Sequence, residues 1–126
     1  MLNRIVIIGR LTRDPEIRTT SNGTPVGTFT VAVDRAFSNA KGEKETDFIP
    51  VVVWRGQAEN CGRFLTKGKM CAVDGRLQIR TYEASDGSKR TVPEVVADNV
   101  RFLSQKDNNA SVYGGDEIPA FENIPL

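Results

Sequence analysis

Residues 46–56, TDFIPVVVWRG, split their side chains between two faces. In an extended chain, residues of one parity point to one side. Ile49, Val51 and Val53 therefore form an aliphatic face, and Phe48, Pro50, Val52 and Trp54 occupy the other. The pattern predicts a strand over 46–55 with its aliphatic face in a core and its two largest rings outside. The same alternation predicts a strand over 3–12, with Ile5, Ile7 and Leu11 inward and Gly9 where a barrel strand bends. A strand over 24–34 turns Phe29, Val31 and Val33 to one side. Between these two strands, Asp14-Pro15 and Ser21-Asn22-Gly23 read as loop and turn.

A polar connection, residues 35–45, leads into the third strand. The one helical pattern covers 57–67, with Ala58, Cys61 and Leu65 as its stripe and Gly68 at the C-cap position. A long strand follows over 69–82, then a hairpin turn at Ser85-Asp86-Gly87-Ser88 and a fifth strand over 91–103. Three strands, a helix and two strands predict an all-β domain: a five-stranded Greek-key barrel of the OB type, with one short helix between strands three and four. This domain is expected to span residues 1–104. Residues 105–126 carry Asn, Asp, Gly and Pro without a period and are expected to form a flexible acidic tail.

On the fourth strand, Val73, Leu77 and Ile79 are expected inside, with Arg76, Gln78, Arg80 and Tyr82 outside. Phe37 lies in the long connection between Arg35 and Lys41. Rings interleaved with Arg and Lys on an exposed β surface can stack unpaired bases while the cations meet phosphates, without reading sequence. Packing against the helix or against a partner subunit would also account for any one of these rings.

Charge sharpens the picture. The 126 residues carry a net charge of +1, but residues 1–106 hold 17 Lys and Arg against 12 Asp and Glu, an excess of five. Residues 107–126 hold four acids and no base. A basic body points to a polyanion, and the acidic tail to a separate role. There is no histidine, which excludes imidazole acid–base chemistry and imidazole metal sites. Cys61 and Cys71 lack metal-ligand spacing and read as small apolar fillers. Residues 62–70, GRFLTKGKM, space their glycines one residue too far apart for a phosphate loop and place Met70 where Ser or Thr is needed. Glu43, Glu45 and Asp47 alternate with lysines and read as a solvated strand edge. No enzyme, metal or other cofactor is expected. No apolar run has the length of a signal-peptide core or a membrane span, so the expectation is a cytoplasmic protein with no membrane partner.

Three segments, residues 1–35, 46–68 and 73–90, together resemble the bacterial single-stranded-DNA-binding protein family, with the similarity running from residue 1 to about 102. The resemblance implies an OB-fold homotetramer that wraps single-stranded DNA in replication, recombination and repair. It implies base stacking on Phe37, Phe48, Trp54 and Tyr82. Arg10, Arg35, Arg55, Lys67, Arg76 and Arg80 are the phosphate candidates. The family ends in an acidic tip, Asp-Asp-Asp-Ile-Pro-Phe, that docks replication and repair proteins. Here Glu122, Ile124, Pro125 and Leu126 stand in that place, with Leu for the usual Phe. Two rival expectations are an OB-fold protein–protein adaptor of the primosome type, whose outer rings form an interface, and an RNA-binding OB module.

Overall fold

The computed structural model describes residues 1–103. Its strands are β1 (Ile5–Leu11), β2 (Glu16–Thr19), β3 (Pro25–Asp34), β4 (Thr46–Trp54), β5 (Met70–Glu83) and β6 (Lys89–Phe102), with one helix, α1 (Arg55–Phe64), between β4 and β5. The sheet order is β1-β5-β6-β4-β3-β2, and a further β1–β3 pairing closes a ring that leaves β2 outside it. Five strands thus close on themselves, with β4 and β6 parallel and every other pair antiparallel. This is the OB barrel that the element order predicted.

Period-two alternation fills the interior. Leu11, Phe29, Val31, Val51, Val53, Cys71, Val73, Val95 and Ala97 form one buried cluster, closed at one end by Ala58, Cys61 and Leu65. The registers Leu11↔Val31, Phe29↔Val51, Val51↔Val95 and Val73↔Val100 carry that cluster around the ring. Each fully buried Val or Leu contributes roughly 1.5–3 kcal/mol. Gly9 sits where β1 passes from β5 to β3. A Cβ there would lie 2.3 Å from the Ala32 carbonyl oxygen, so closure requires the missing side chain.

Four expectations are corrected. Residues 16–19, read as loop, form β2 along the free edge of β3. Ile17 seats there over two glycines: a Cβ at Gly27 or at Gly62 would come within 2.7 Å of it. Second, α1 begins and ends earlier than its stripe implied. Leu65 is already extended, and Gly68 (φ 87°) serves a separate turn that returns the chain to β1 through Gly68 N–H to Leu11 O at 2.9 Å. The need to bring Lys69 and Met70 alongside Leu11 and Arg10 ends the helix.

Third, Leu77 and Ile79 are not inside: they are 41% and 56% exposed. β5 and β6 run on beyond the barrel as a two-stranded ribbon after the irregularity at Asp74/Gly75, with no sheet opposite to cover them. Fourth, Glu45 and Asp47 are partly exposed, as expected of a solvated edge, but do not stand free: both accept from Arg35. Gly75 marks the barrel exit, since a Cβ there would lie 2.2 Å from the Val96 carbonyl oxygen.

Candidate nucleic-acid interface

β4 has a fully buried side, Val51 and Val53, and an outer side where Phe48 is 64% and Trp54 42% exposed. The parity argument therefore holds for this strand. Phe48, Pro50 and Val52 face a groove walled by Arg80, Val92 and Glu94. Trp54 faces its continuation, with Thr28 beside it on β3 and Arg76, Gln78 and Arg80 on β5 across from it. Val52, Arg80, Glu94 and Thr28 line both, so the two are one channel. The β4 side is aromatic and aliphatic, the β5 side carries Arg76, Gln78 and Arg80, and Asp14, Glu16 and Glu94 add carboxylates to the lining.

Arg80 Nε donates to Glu94 Oε1 at 3.0 Å, and its guanidinium carbon lies 5.7 Å from the Tyr82 ring centroid. Nη1 and Nη2 of Arg80 have no hydrogen-bond partner among the described residues. Glu94 is almost wholly buried. A buried carboxylate is tolerated when a cation compensates it, so Glu94 also fixes the plane of Arg80 beside Tyr82. Arg76 Nη1 stands 3.8 Å from Asp98 Oδ1, a looser pair between half-exposed groups. Tyr82 is 42% exposed near the end of the ribbon, opposite Arg90.

The connection between β3 and β4 carries Phe37, 85% exposed. Its base is an ion-pair clamp. Arg35 Nε and Nη2 donate to the two carboxylate oxygens of Asp47 at 3.1 and 2.9 Å, and Nη1 donates to Glu45 Oε1 at 2.8 Å. The hydrogen bond from Arg35 holds the Asp47 carboxyl below its ordinary range, and the same pair, with Glu45, raises the Arg35 guanidinium. Asn39 Oδ1 accepts from the Lys41 and Glu43 N–H groups, closing the loop tip. Arg35 is thereby spoken for by two carboxylates, while Lys41 and Lys44 have no acid partner among the described residues.

The remaining cations divide. Arg55 follows Trp54 directly and has no ion pair among the described residues. Arg10 Nη1 donates to the Gly68 carbonyl at 3.0 Å, and the Lys67 backbone N–H to Asp14 Oδ1 at 2.8 Å. Neither residue lines the channel, although Asp14 and its neighbour Arg13 line the Phe48 end. Arg13, Thr28 and Glu94 were not anticipated from the sequence. Glu94 left no local signal, because it sits one residue from Pro93 in an ordinary strand and meets Arg80 only through the Gln78↔Glu94 register. Among the described residues no group of His, Cys, Asp or Glu could hold a metal ion, and no helix is long and apolar enough to cross a membrane. Glu122, Ile124, Pro125 and Leu126 lie outside the described residues.

Residues 2–103 match the model of the single-strand binding protein family. The chain is 59% identical over 109 residues to single-stranded DNA-binding protein 2 of Staphylococcus aureus (strain COL), covering 86% of this chain and 78% of that protein. The homologous protein 2 of S. aureus (strain Mu50) is 61% identical over 107 residues, 85% of this chain and 76% of its own length. A Bacillus cereus single-stranded DNA-binding protein is 49% identical over 125 residues, 99% of this chain and 71% of that protein.

Proposed function

The chain belongs to the single-strand binding protein family, and from that premise we propose that it binds single-stranded DNA with little sequence preference and performs no chemistry. Phe48 and Trp54 stack bases along the channel, Tyr82 extends the stack on the ribbon, and Phe37 closes over it from the loop. Arg76, Arg80 and Arg55 meet phosphates, with Arg10 and Lys67 on the path beyond the channel. The observation that carries this reading is the parity of β4: Val51 and Val53 are buried, yet its two rings face a channel across which stand Arg76, Gln78 and Arg80. Duplex bases are already stacked on one another, so rings presented in this way favour unpaired strands.

The test is titration with oligo-dT at low salt, read by Trp54 emission. Quenching that weakens as salt rises is expected, because bound cations release counterions from the strand. Unchanged emission at saturating oligo-dT refutes the reading. Oligo-U that competes on equal terms would move the ligand to RNA.

Homotetramer assembly is part of the same proposal, supported by apolar side chains that the monomer leaves exposed: Val6 and Ile8 on β1, Leu77 and Ile79 on the ribbon. Sedimentation at a mass near one chain would refute it. Protection of single-stranded DNA in replication, recombination and repair, in the nucleoid of the cytoplasm, follows from that ligand. The acidic tail, through Glu122, Ile124, Pro125 and Leu126, is the proposed docking segment for replication and repair proteins.

A further inference from the structure

Trp54 borders a second groove on its other side, lined by Thr20, Ser21, Asn22, Thr24 and Arg55, with no acidic residue among them. Three observations give this groove the character of an anion site. The Thr20 and Thr24 hydroxyls both donate to Asn22 Oδ1, which leaves the two Asn22 Nδ2 hydrogens without a partner among the described residues. Arg55 has no carboxylate in ion-pairing range, unlike Arg35, Arg76 and Arg80. Among the described residues Arg55 is also the one non-glycine residue with a left-handed backbone, φ 56°.

That conformation brings Cβ against the following carbonyl, a clash that glycine lacks. An arginine there is strained, and it lines the same groove as Trp54. Strain of this kind persists only where the surroundings enforce it, and it collects at ligand clamps. The groove combines two amide hydrogens, a free guanidinium and a neighbouring stacking ring. That set matches a phosphodiester next to a stacked base.

We propose that Arg55 and Asn22 form a phosphodiester clamp, which takes the strand onward past Trp54 and over the β2–β3 turn. The clamp rests on the single-stranded DNA reading above.

Polarisation of labelled oligo-dT over a salt series, with thermal melting alongside, tests it on the full chain. Arg55→Gly is expected to bind roughly tenfold more weakly at low salt, the ordinary loss for a charged hydrogen bond. The slope of log K against log salt should fall by about 0.7 for each phosphate no longer neutralised, while the melting temperature stays at or above that of the parent. Arg55→Lys should keep the slope. Asn22→Asp retains the acceptor for both threonines but replaces the donors with an anion, and should also weaken binding. Unchanged affinity in Arg55→Gly, or reduced affinity with an unchanged slope, overturns the clamp. If the parent chain itself fails to bind oligo-dT, the single-stranded DNA reading falls and the clamp falls with it. A parent that binds beside an indifferent Arg55→Gly refutes the clamp alone.

Discussion

Truncating Phe48 to alanine separates stacking from packing. The side chain is 64% exposed on the outer face of β4, so about a third of its surface is withdrawn from water by folding. Burying a whole Phe contributes roughly 1.5–3 kcal/mol, which puts the folding cost of the truncation near 0.5–1 kcal/mol. In a domain of this size that is a fall of about 2–8 °C in melting temperature. A stacked base is worth about 1–3 kcal/mol by alanine substitution, or about 5- to 150-fold in Kd. Binding should therefore suffer more than folding. The substitution removes no charge, so the salt slope should stay at the parent value. Polarisation of labelled oligo-dT across a salt series measures the affinity and the slope together, and a melting curve reads the fold. A Kd within about twofold of the parent would refute stacking on this ring, since it lies well below the smallest expected loss. A large loss of melting temperature with intact binding would make Phe48 a packing residue. An affinity loss with a reduced slope would assign the effect to displaced cations.

Two further outcomes follow from the geometry. Arg35→Ala should weaken DNA binding with no change in salt slope, because its guanidinium already serves Asp47 and Glu45 and holds the loop that carries Phe37. Arg35→Lys should share much of that loss, since an ammonium cannot reproduce the fork on Asp47. A slope reduced by about 0.7 per subunit would show that Arg35 meets phosphate instead. Cys61 and Cys71 are fully buried, and burial pushes their thiols up to about 12 and about 11. Neither should react with a disulfide reagent at about pH 8 until denaturant is added, and native reactivity would contradict the packing. Because the unfolded thiols ionise first, with an ordinary value of 9.0, stability should be unaffected below that pH and decline as pH rises from there towards about 11 and 12. Melting curves in that window, with Cys61→Ala showing a shallower decline, check the sign.

The exposure of the candidate rings was legible in the sequence, and the electrostatics around them only in part. Phe48 and Trp54 declared their exposure by parity against Val51 and Val53, a strictly local relation. Arg76 and Arg80 were placed on the correct face of β5 for the same reason. Arg35, read as a phosphate candidate, pairs with Glu45 and Asp47, because these partners approach through a hairpin register that aligns Val33 with Asp47. The alternation that placed Arg76 outward also placed Leu77 and Ile79 inward, and there it misled, because a strand's inner face is buried only where another element covers it.

The sequence by itself determined which residues share a face, where the chain turns and how many strands the barrel has. Those depend on the two-residue repeat of an extended backbone and on the turn chemistry of Gly, Asn, Asp and Pro. Only the tertiary structure decided how far the strands outrun the barrel, that residues 16–19 add an edge strand, and which cations stay unpaired. The physical reason is that burial and charge compensation belong to pairs of groups. Glu94 meets Arg80, and Asp98 meets Arg76, only after β5 and β6 align across a register that neither strand encodes alone.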